Sequence, residues 1–387
     1  MENFEEKACL CALGKIFGFK PKIALALIEH LGSAREVFKI GRQDLERLLG
    51  PHSQYVDLIR KSAVYEAADE LERYAKLDIC YVGWTEEGYP GLLNECPDAP
   101  VGLYIRSRTH PSKLWPDRRV AVVGTRDVSP YGKEWCAKCI HGLASTAEKP
   151  LIVSGLALGV DICAHKAALE SGLPTVAVMA TGPENVYPYR HKGFAEEMYQ
   201  IPGCALVTDY PPGTAPLAVH FVRRNRIIAG LSEATVLIES KIKGGGMMTA
   251  RLAFSYDRDV FALPGRVDDI RSQGCNTLIR SKIAEPLTDI PEFLESLGMK
   301  AGNASTPVSD REMLAQTYSS GSSAERLDQM ARLLTMIRQH RGITVEDLAE
   351  TSSLGYARTV ELTSRLETDG FISTDLLQRC SINPTKK

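Results

Sequence analysis

The chain has 387 residues, 44% hydrophobic and 24% charged, with 46 basic and 48 acidic side chains and a formal net charge of −2. That composition suits an ordinary folded chain of two or three domains, and it excludes bulk attraction to a polyanion. Any nucleic-acid surface must come from local clustering of Lys and Arg. No stretch approaches the ~20 apolar residues that span a bilayer, so no membrane partner is expected.

The acidic N-terminus, MENFEEKACLCALG, lacks a charged region ahead of a long apolar core, and no signal peptide is expected. Residues 1–80 read as a helical domain. Between Lys20 and Phe38 the apolar residues recur at helical spacing, with a break at Gly32-Ser33, where Ser33 can cap the next helix. Helix, short Gly turn, helix outlines a helix-hairpin-helix or SAM-like unit. Such units bind DNA backbone or serve as plain interaction modules. The main cations here are Lys20, Lys22 and Arg35, which puts the structural role first. Trp84 to Arg108, with prolines at 90, 97 and 100, reads as a connector with Val101 to Ile105 as an edge strand.

Residues 81–297 form the core domain. From Arg119 onward, short β-branched runs alternate with amphipathic helices. The runs are Val120 to Gly124, Leu151 to Gly155, Thr175 to Met179, Ala205 to Asp209, Thr235 to Glu239 and Asp259 to Leu263. Continuous apolar strands separated by helices imply a parallel sheet covered on both faces, so the fold class is α/β with a Rossmann-like doubly wound core. Residues 298–324, rich in Ser, Thr, Gly and Ala, read as a flexible linker. Residues 325–387 read as a winged-helix domain: RLDQMARLLTMIRQH is one helix, Thr344 caps the next, a third ends at Gly370, and FISTDLLQRCSI makes a hairpin. The third helix carries Arg358 and Arg365 but also Glu361, Glu367 and Asp369, a mixture that suits protein contact at least as well as duplex reading.

Ten cysteines are scattered, several inside apolar runs, which fits reduced thiols better than a disulfide framework. Cys136-Ala-Lys-Cys139 lacks a second pair at zinc spacing and reads as buried helix cysteines. No metal or other cofactor is expected.

Ligands of a doubly wound sheet sit at the C-terminal ends of the strands. Gly124 to Gly132 offers Arg126 for bidentate phosphate contact, and Ser129 as the cap of a helix near Tyr131. Ser154 to Asp161 is a small-residue loop that brings amides close to a ligand. Asp161 and His165 lie four apart on a helix, as an acid–base pair or a structural hydrogen bond. Gly182 to Gly193 alternates Tyr187 and Tyr189 with Arg190, His191 and Lys192, which fits either a solvated loop or single-stranded nucleic acid. Phe221 to Arg251 concentrates most. Arg223, Arg224 and Arg226 open a helix with Asn225 among them, and Gly244 to Gly246 then lead into a further helix containing Thr249 and Arg251. Fixed charge beside a glycine loop at a helix N-terminus suits a phosphate backbone, with Gly245, Gly246 and Thr249 at that loop. Beyond it lie Arg266, Arg271, Arg280 and Lys282, and Gly274-Cys275-Asn276 reads as the cap of another helix. No Walker A, H-E-x-x-H or G-x-S-x-G sequence is present, and no complete catalytic set is recognised.

Taken in order, VAVVGTRDVSPYG, SGLALGVDICAHKAAL, YPYRHK, FVRRNRIIAGLS, TARLAFSYDRDVFALPG and SQGCNTLI resemble the DNA-processing protein A (DprA/Smf) family. The family layout of SAM-like, Rossmann-like and winged-helix domains matches the organisation above. The lack of a complete catalytic set makes a non-catalytic role the expectation, and the resemblance implies a bacterial cytosolic protein of natural transformation. It would bind and protect incoming single-stranded DNA, help load the RecA recombinase, and form homodimers through the Rossmann core. By position, Arg126, Ser154, Gly155, Asn225 and Arg226 match the family's DNA-backbone pocket, and Lys192 is the basic residue after its Y-P. Gly244 to Ala250 (GGGMMTA) replaces the family's S-G-S/T-L-I-T-A and drops a Ser hydroxyl, and Asp209 replaces a Glu.

A competing reading is a small-molecule enzyme. The GGG-x-x-T-A segment also resembles the glycine loop of nucleoside-monophosphate phosphoribohydrolases of the lysine-decarboxylase-like (LOG) family, with Glu239 or Asp161 as the acid or base. The run of three arginines favours DNA, since a mononucleotide needs fewer cations. A third reading is a duplex-reading regulator acting through the winged helix, which the acidic third helix disfavours.

Overall fold

The structure is a computed structural model that describes residues 5–18, 20–300, 310–318, 323–340, 342–375 and 377–382. It comprises two compact units, Met1–Gly302 and Asn303–Lys387.

The first unit begins with helices Glu6–Phe17, Pro21–Leu31, Ala34–Val37, Arg42–Leu49 and Lys61–Ala75. Gly32, at φ 87°, turns the chain after the second, and Ser33 Oγ accepts the Glu36 N–H at 3.3 Å to start the third. Leu10, Leu13, Phe17, Leu27 and Ile28 share one apolar cluster with Ile79, Tyr81, Val101 and Tyr104, which lie on or beside the first two strands. The helices are therefore packed onto one end of the sheet.

That sheet has nine strands: β1 (Ile79–Gly83), β2 (Gly102–Arg106), β3 (Arg119–Val123), β4 (Leu151–Ser154), β5 (Thr175–Val178), β6 (Ala205–Thr208), β7 (Ala234–Leu237), β8 (Asp259–Ala262) and β9 (Glu285–Pro286). Their order is β1-β2-β6-β5-β4-β3-β7-β8-β9. The six apolar runs read from the sequence are β3 to β8, and every pairing among them is parallel. Their side chains are buried on both faces, as covered parallel strands must be. Helices Pro130–Ala144 and Val160–Glu170 cover one face through Ile140, Leu143, Val160 and Ala164. Helices Ala218–Leu231 and Gly245–Ser255 cover the other through Ile227, Ile228, Leu231, Met247 and Ala250.

One expectation is corrected at the sheet's end. Val101 to Ile105 does not make the edge. β2 lies inside, antiparallel to both β1 and β6, and the outer strand is Ile79–Gly83. The short ICYVG run is separated from the Lys61–Ala75 helix by only Lys76, Leu77 and Asp78, with no Gly or Pro punctuation to mark the boundary.

Cys136 and Cys139 are fully buried on the inner face of the Pro130–Ala144 helix, where burial pushes the Cys139 thiol up to about 12. A thiol held protonated in an apolar core is inert packing.

In the second unit, helices Asp310–Thr317, Ala324–Gln339, Val345–Ser352 and Tyr356–Thr368 precede an antiparallel pair, β10 (Ile372–Thr374) and β11 (Cys380–Ile382). Thr344 caps its helix in a reciprocal box with Asp347. The linker expected over 298–324 is interrupted by the Asp310–Thr317 helix, whose Leu314 is fully buried in this unit's core. Residues 301–309 and 319–322 of that stretch lie outside the described residues. Arg358 is paired with Glu361 at 2.7 Å and Arg365 with Asp369 at 3.8 Å, so the third helix neutralises its own cations.

The interior also sets a pH limit. His165 is fully buried, and its Nδ1 lies 2.7 Å from Thr175 Oγ1, whose hydroxyl donates to Ile152 O. That leaves Nδ1 to donate the second bond. Burial, reinforced by Arg224 and His191, lowers its pKa from the ordinary 6.5 to about 3. The unfolded chain binds this proton near pH 6.5 and the folded chain only near 3. This contribution to stability is therefore complete above pH 6.5 and is lost as the pH falls toward 3. Urea unfolding of His165→Gln across that window should give a shallower loss of stability with acid than the parent chain, and an identical slope would contradict the assignment.

Candidate nucleic-acid interface

The chain runs from β3 through β4 and β5 to β6 on one side, then returns to place β7 and β8 on the other. The connections after β3 and β7 consequently diverge, and a crevice opens at the strands' C-terminal ends. It is a cavity of ≈ 470 Å³.

One wall is the loop after β3. A Cβ on Gly124 would meet Val160 Cγ2 at 2.6 Å, so only glycine lets the chain leave the strand here. The loop is then fastened to Glu239. Thr125 N–H donates to its backbone oxygen at 2.7 Å and Ser129 N–H to its Oε2 at 2.9 Å, while the Ser129 hydroxyl donates to Oε1. Ser129 Oγ in turn accepts the Gly132 N–H at 3.0 Å and caps the Pro130–Ala144 helix. Arg126 is left exposed at the mouth, with its guanidinium 5.4 Å from the Phe221 ring centre. Phe221 meets Tyr187 edge-on at 5.3 Å, and all three line the cavity.

The opposite wall follows β7. Lys241 and Gly244 to Gly246 line it, with Thr249 one turn further on. Gly244 is the N-cap of the Gly245–Ser255 helix and supplies no side-chain acceptor. The first amide donors of a helix have no intrahelical partner, so this end favours an anion. A Cβ on Gly246 would meet Leu237 Cδ1 at 2.6 Å and Gly124 Cα at 3.2 Å, which is how the two walls approach so closely. Asn225 Nδ2 donates to Gly245 O at 3.4 Å.

The floor is Arg224 beside Asp161. Arg224 is 4% exposed, and its Nη1 donates to Gly155 O at 2.6 Å and to Val178 O. Burial lowers its pKa to about 10, and burial also raises Asp161, against the opposing pull of Arg224. A Cβ on Gly155 would lie 2.5 Å from Arg224 Nη1 and 2.6 Å from Asp161 Oδ2, so Gly155 is what lets the pair form.

Of the expected site residues, Arg126, Arg224, Asn225, Gly245, Gly246 and Thr249 line this one cavity. The others are placed elsewhere. Ser154 is fully buried below it, donating to Val122 O at 2.6 Å, and Gly155 is buried with it. Arg223 donates to Gly18 O at 2.8 Å in the N-terminal helical segment. Arg226 turns away, ion-paired with Asp209 and donating to Asp98 O. Consecutive helix positions rotate by about 100°, so three arginines at i, i+1 and i+3 point in three directions. Lys192 lies outside the cavity, 3.8 Å from Glu196 and over the Tyr189 ring. Asp161 and His165 do not bond to each other, because His165 bonds Thr175. Gly274 to Asn276 is not a cap but lies inside the Gln273–Arg280 helix, where Gly274 N–H donates to Ser240 O at 2.8 Å. Arg266 and Arg271 are paired with Asp268 and Asp127.

Sequence reasoning missed Lys241 and the role of Phe221. Both left a signal: Lys241 stands just ahead of the glycine triplet, and Phe221 lies one turn before Arg224. The groups a phosphoribohydrolase would use are poorly disposed. Both Glu239 oxygens are held by Ser129, and Asp161 faces Arg224. Among the described residues no cluster of three His, Cys, Asp or Glu could hold a metal.

A family model described as DNA recombination-mediator protein A matches residues 80–298, the region that contains every wall of this cavity. The chain belongs to that family. It is 36% identical over 247 residues to DNA processing protein DprA of Streptococcus pneumoniae, covering 61% of this chain and 83% of that one. It is 38% identical over 211 residues to Protein Smf of Escherichia coli, covering 54% of each. The X-ray structure of the pneumococcal protein superposes with a TM-score of 0.62 at 30% identity, covering 73% of this chain and 95% of that one. The mixed α/β fold with its large, mostly parallel sheet is thus common to both.

The separation of Arg226 from the cavity has a measurable consequence. Arg226→Ala strands the Asp209 carboxylate in the interior and should cost about 3–5 kcal/mol in urea unfolding. Arg126→Ala, at an exposed position, should stay within about 0.5 kcal/mol of the parent chain.

Proposed function

We propose that this chain binds single-stranded DNA in the switch-point cavity, without catalysing a reaction there. The observation that carries this reading is Arg126. It is exposed, has no carboxylate partner among the described residues, and faces an open helix N-terminus and Lys241 across one crevice. Guanidinium, ammonium and amide donors suit phosphate oxygens. The Phe221 and Tyr187 rings offer stacking faces that tolerate any base and demand an unpaired strand.

The family's description as a recombination mediator extends the proposal. The bound strand is incoming DNA in natural transformation, held in the cytoplasm and handed to the RecA recombinase. A homodimer through the Rossmann core fits the exposed apolar side chains of Ile242, Met248, Phe254, Val267 and Ile270 around its β7 and β8 connections. The helices and hairpin after residue 323 are proposed as a winged helix whose paired arginines favour a protein partner.

Affinity for oligothymidine should fall with salt at a log–log slope of roughly −0.7 for each phosphate neutralised, and near-zero slope in a fluorescence-anisotropy titration would contradict the proposal. Arg126→Ala should weaken the same binding by on the order of 1–3 kcal/mol with its thermal stability intact. Incubation with AMP should release no adenine, and release would favour the enzyme reading.

A further inference from the structure

The three cations Lys20, Lys22 and Arg35 of the N-terminal helical segment meet different fates. Arg35 is neutralised by Glu6 at 3.3 Å. Lys20 and Lys22 are exposed, and neither enters an ion pair among the described residues. Lys20 instead sits 5.8 Å over the Tyr55 ring, and Tyr55 packs against Phe17 at 4.5 Å. A cation beside a half-buried aromatic ring is the pairing that single strands use, phosphate to one and base to the other.

This pair is joined to the cavity by the head of the Ala218–Leu231 helix. Pro216, Ala218 and Val222 line the cavity wall. Leu217 and Val219, 54% and 52% exposed, continue that wall outward as bare apolar surface. Val219, Val222 and Arg223 stand at i, i+3 and i+4 on one face of the helix. Arg223 then reaches Gly18, two residues from Lys20, and fixes the spacing between the two places. Glu70 is paired with Lys15 at 2.6 Å, Asp209 with Arg226, and Asp57, two residues from Tyr55, with Arg42.

We propose that a single strand leaving the cavity crosses the Leu217–Val219 surface and is held a second time by Lys20, Lys22 and Tyr55, so that the N-terminal helices form the outer half of the binding track. The proposal rests on the cavity as the first point of grip. It assigns the helical segment a role in binding longer strands and none in binding short ones.

Strand length separates the two halves. Fluorescence anisotropy with a six-nucleotide and a thirty-nucleotide oligothymidine should show the double variant Lys20→Glu, Lys22→Glu losing about tenfold in affinity for the long strand while keeping the short-strand affinity of the parent. The double Gln variant should lose less. Removing two phosphate contacts should also reduce the long-strand salt slope by about 1.4. Unchanged long-strand affinity and slope in the Glu variant, or equal losses for both lengths, would overturn the track. Arg126→Ala, by contrast, should weaken both lengths. Absence of binding by the parent chain to either strand would instead remove the cavity reading, and the track with it.

Discussion

Glu239 holds the mouth of the cavity together. It leaves β7 fully shielded from water, and its carboxylate fastens Ser129, while its backbone oxygen takes the Thr125 amide. Two loops that topology would let diverge are thereby closed into two walls. A buried carboxylate at a helix N-terminus is stabilised by that helix's dipole and amides, so this acid serves a structural end. The net result is a crevice whose charged lining, among the described residues, is Arg126, Arg224 and Lys241 against Asp161, although the chain as a whole carries a charge of −2.

The helix with three arginines divides its labour by rotation. Arg224 turns into the floor of the cavity, Arg226 under the connector at Asp98, and Arg223 toward Gly18. Gly230 serves the same packing, since a Cβ there would meet Leu93 Cδ1 at 2.7 Å. A charge cluster dense in sequence is thus spread over three interfaces, and of its three arginines Arg224 lines the cavity. The cavity's cations and amide donors come from separate elements, so the spacing of its walls is set by the sheet.

Much of this was legible in the sequence. Continuous apolar runs gave β3 to β8, because strands buried on both faces admit few other residues. Arg126 was legible because turn and cap chemistry left it unexplained, and the glycine triplet because it stands near fixed positive charge at a helix N-terminus. Other features depend on long-range contacts that no local pattern encodes. Arg226 looks identical to Arg224 until Asp209, seventeen positions earlier, is seen beside it. Ser154 and Gly155 read as ligand contacts, yet their partners Val122, Arg224 and Asp161 make them supports. β1 and the Asp310–Thr317 helix went unread for a different reason, since each is short and lies beside a segment of stronger opposite character.

In the proposed complex a strand lies between Arg126 and the Gly245–Ser255 helix, against the Phe221 and Tyr187 rings. Photo-crosslinking with bromodeoxyuridine-substituted oligothymidine, followed by mass spectrometry, tests it most directly. Adducts should form on the peptides containing Tyr187 and Phe221 and be abolished by competing unlabelled single strand. Adducts confined to the unit beyond residue 303, with none at the switch-point cavity, would contradict it.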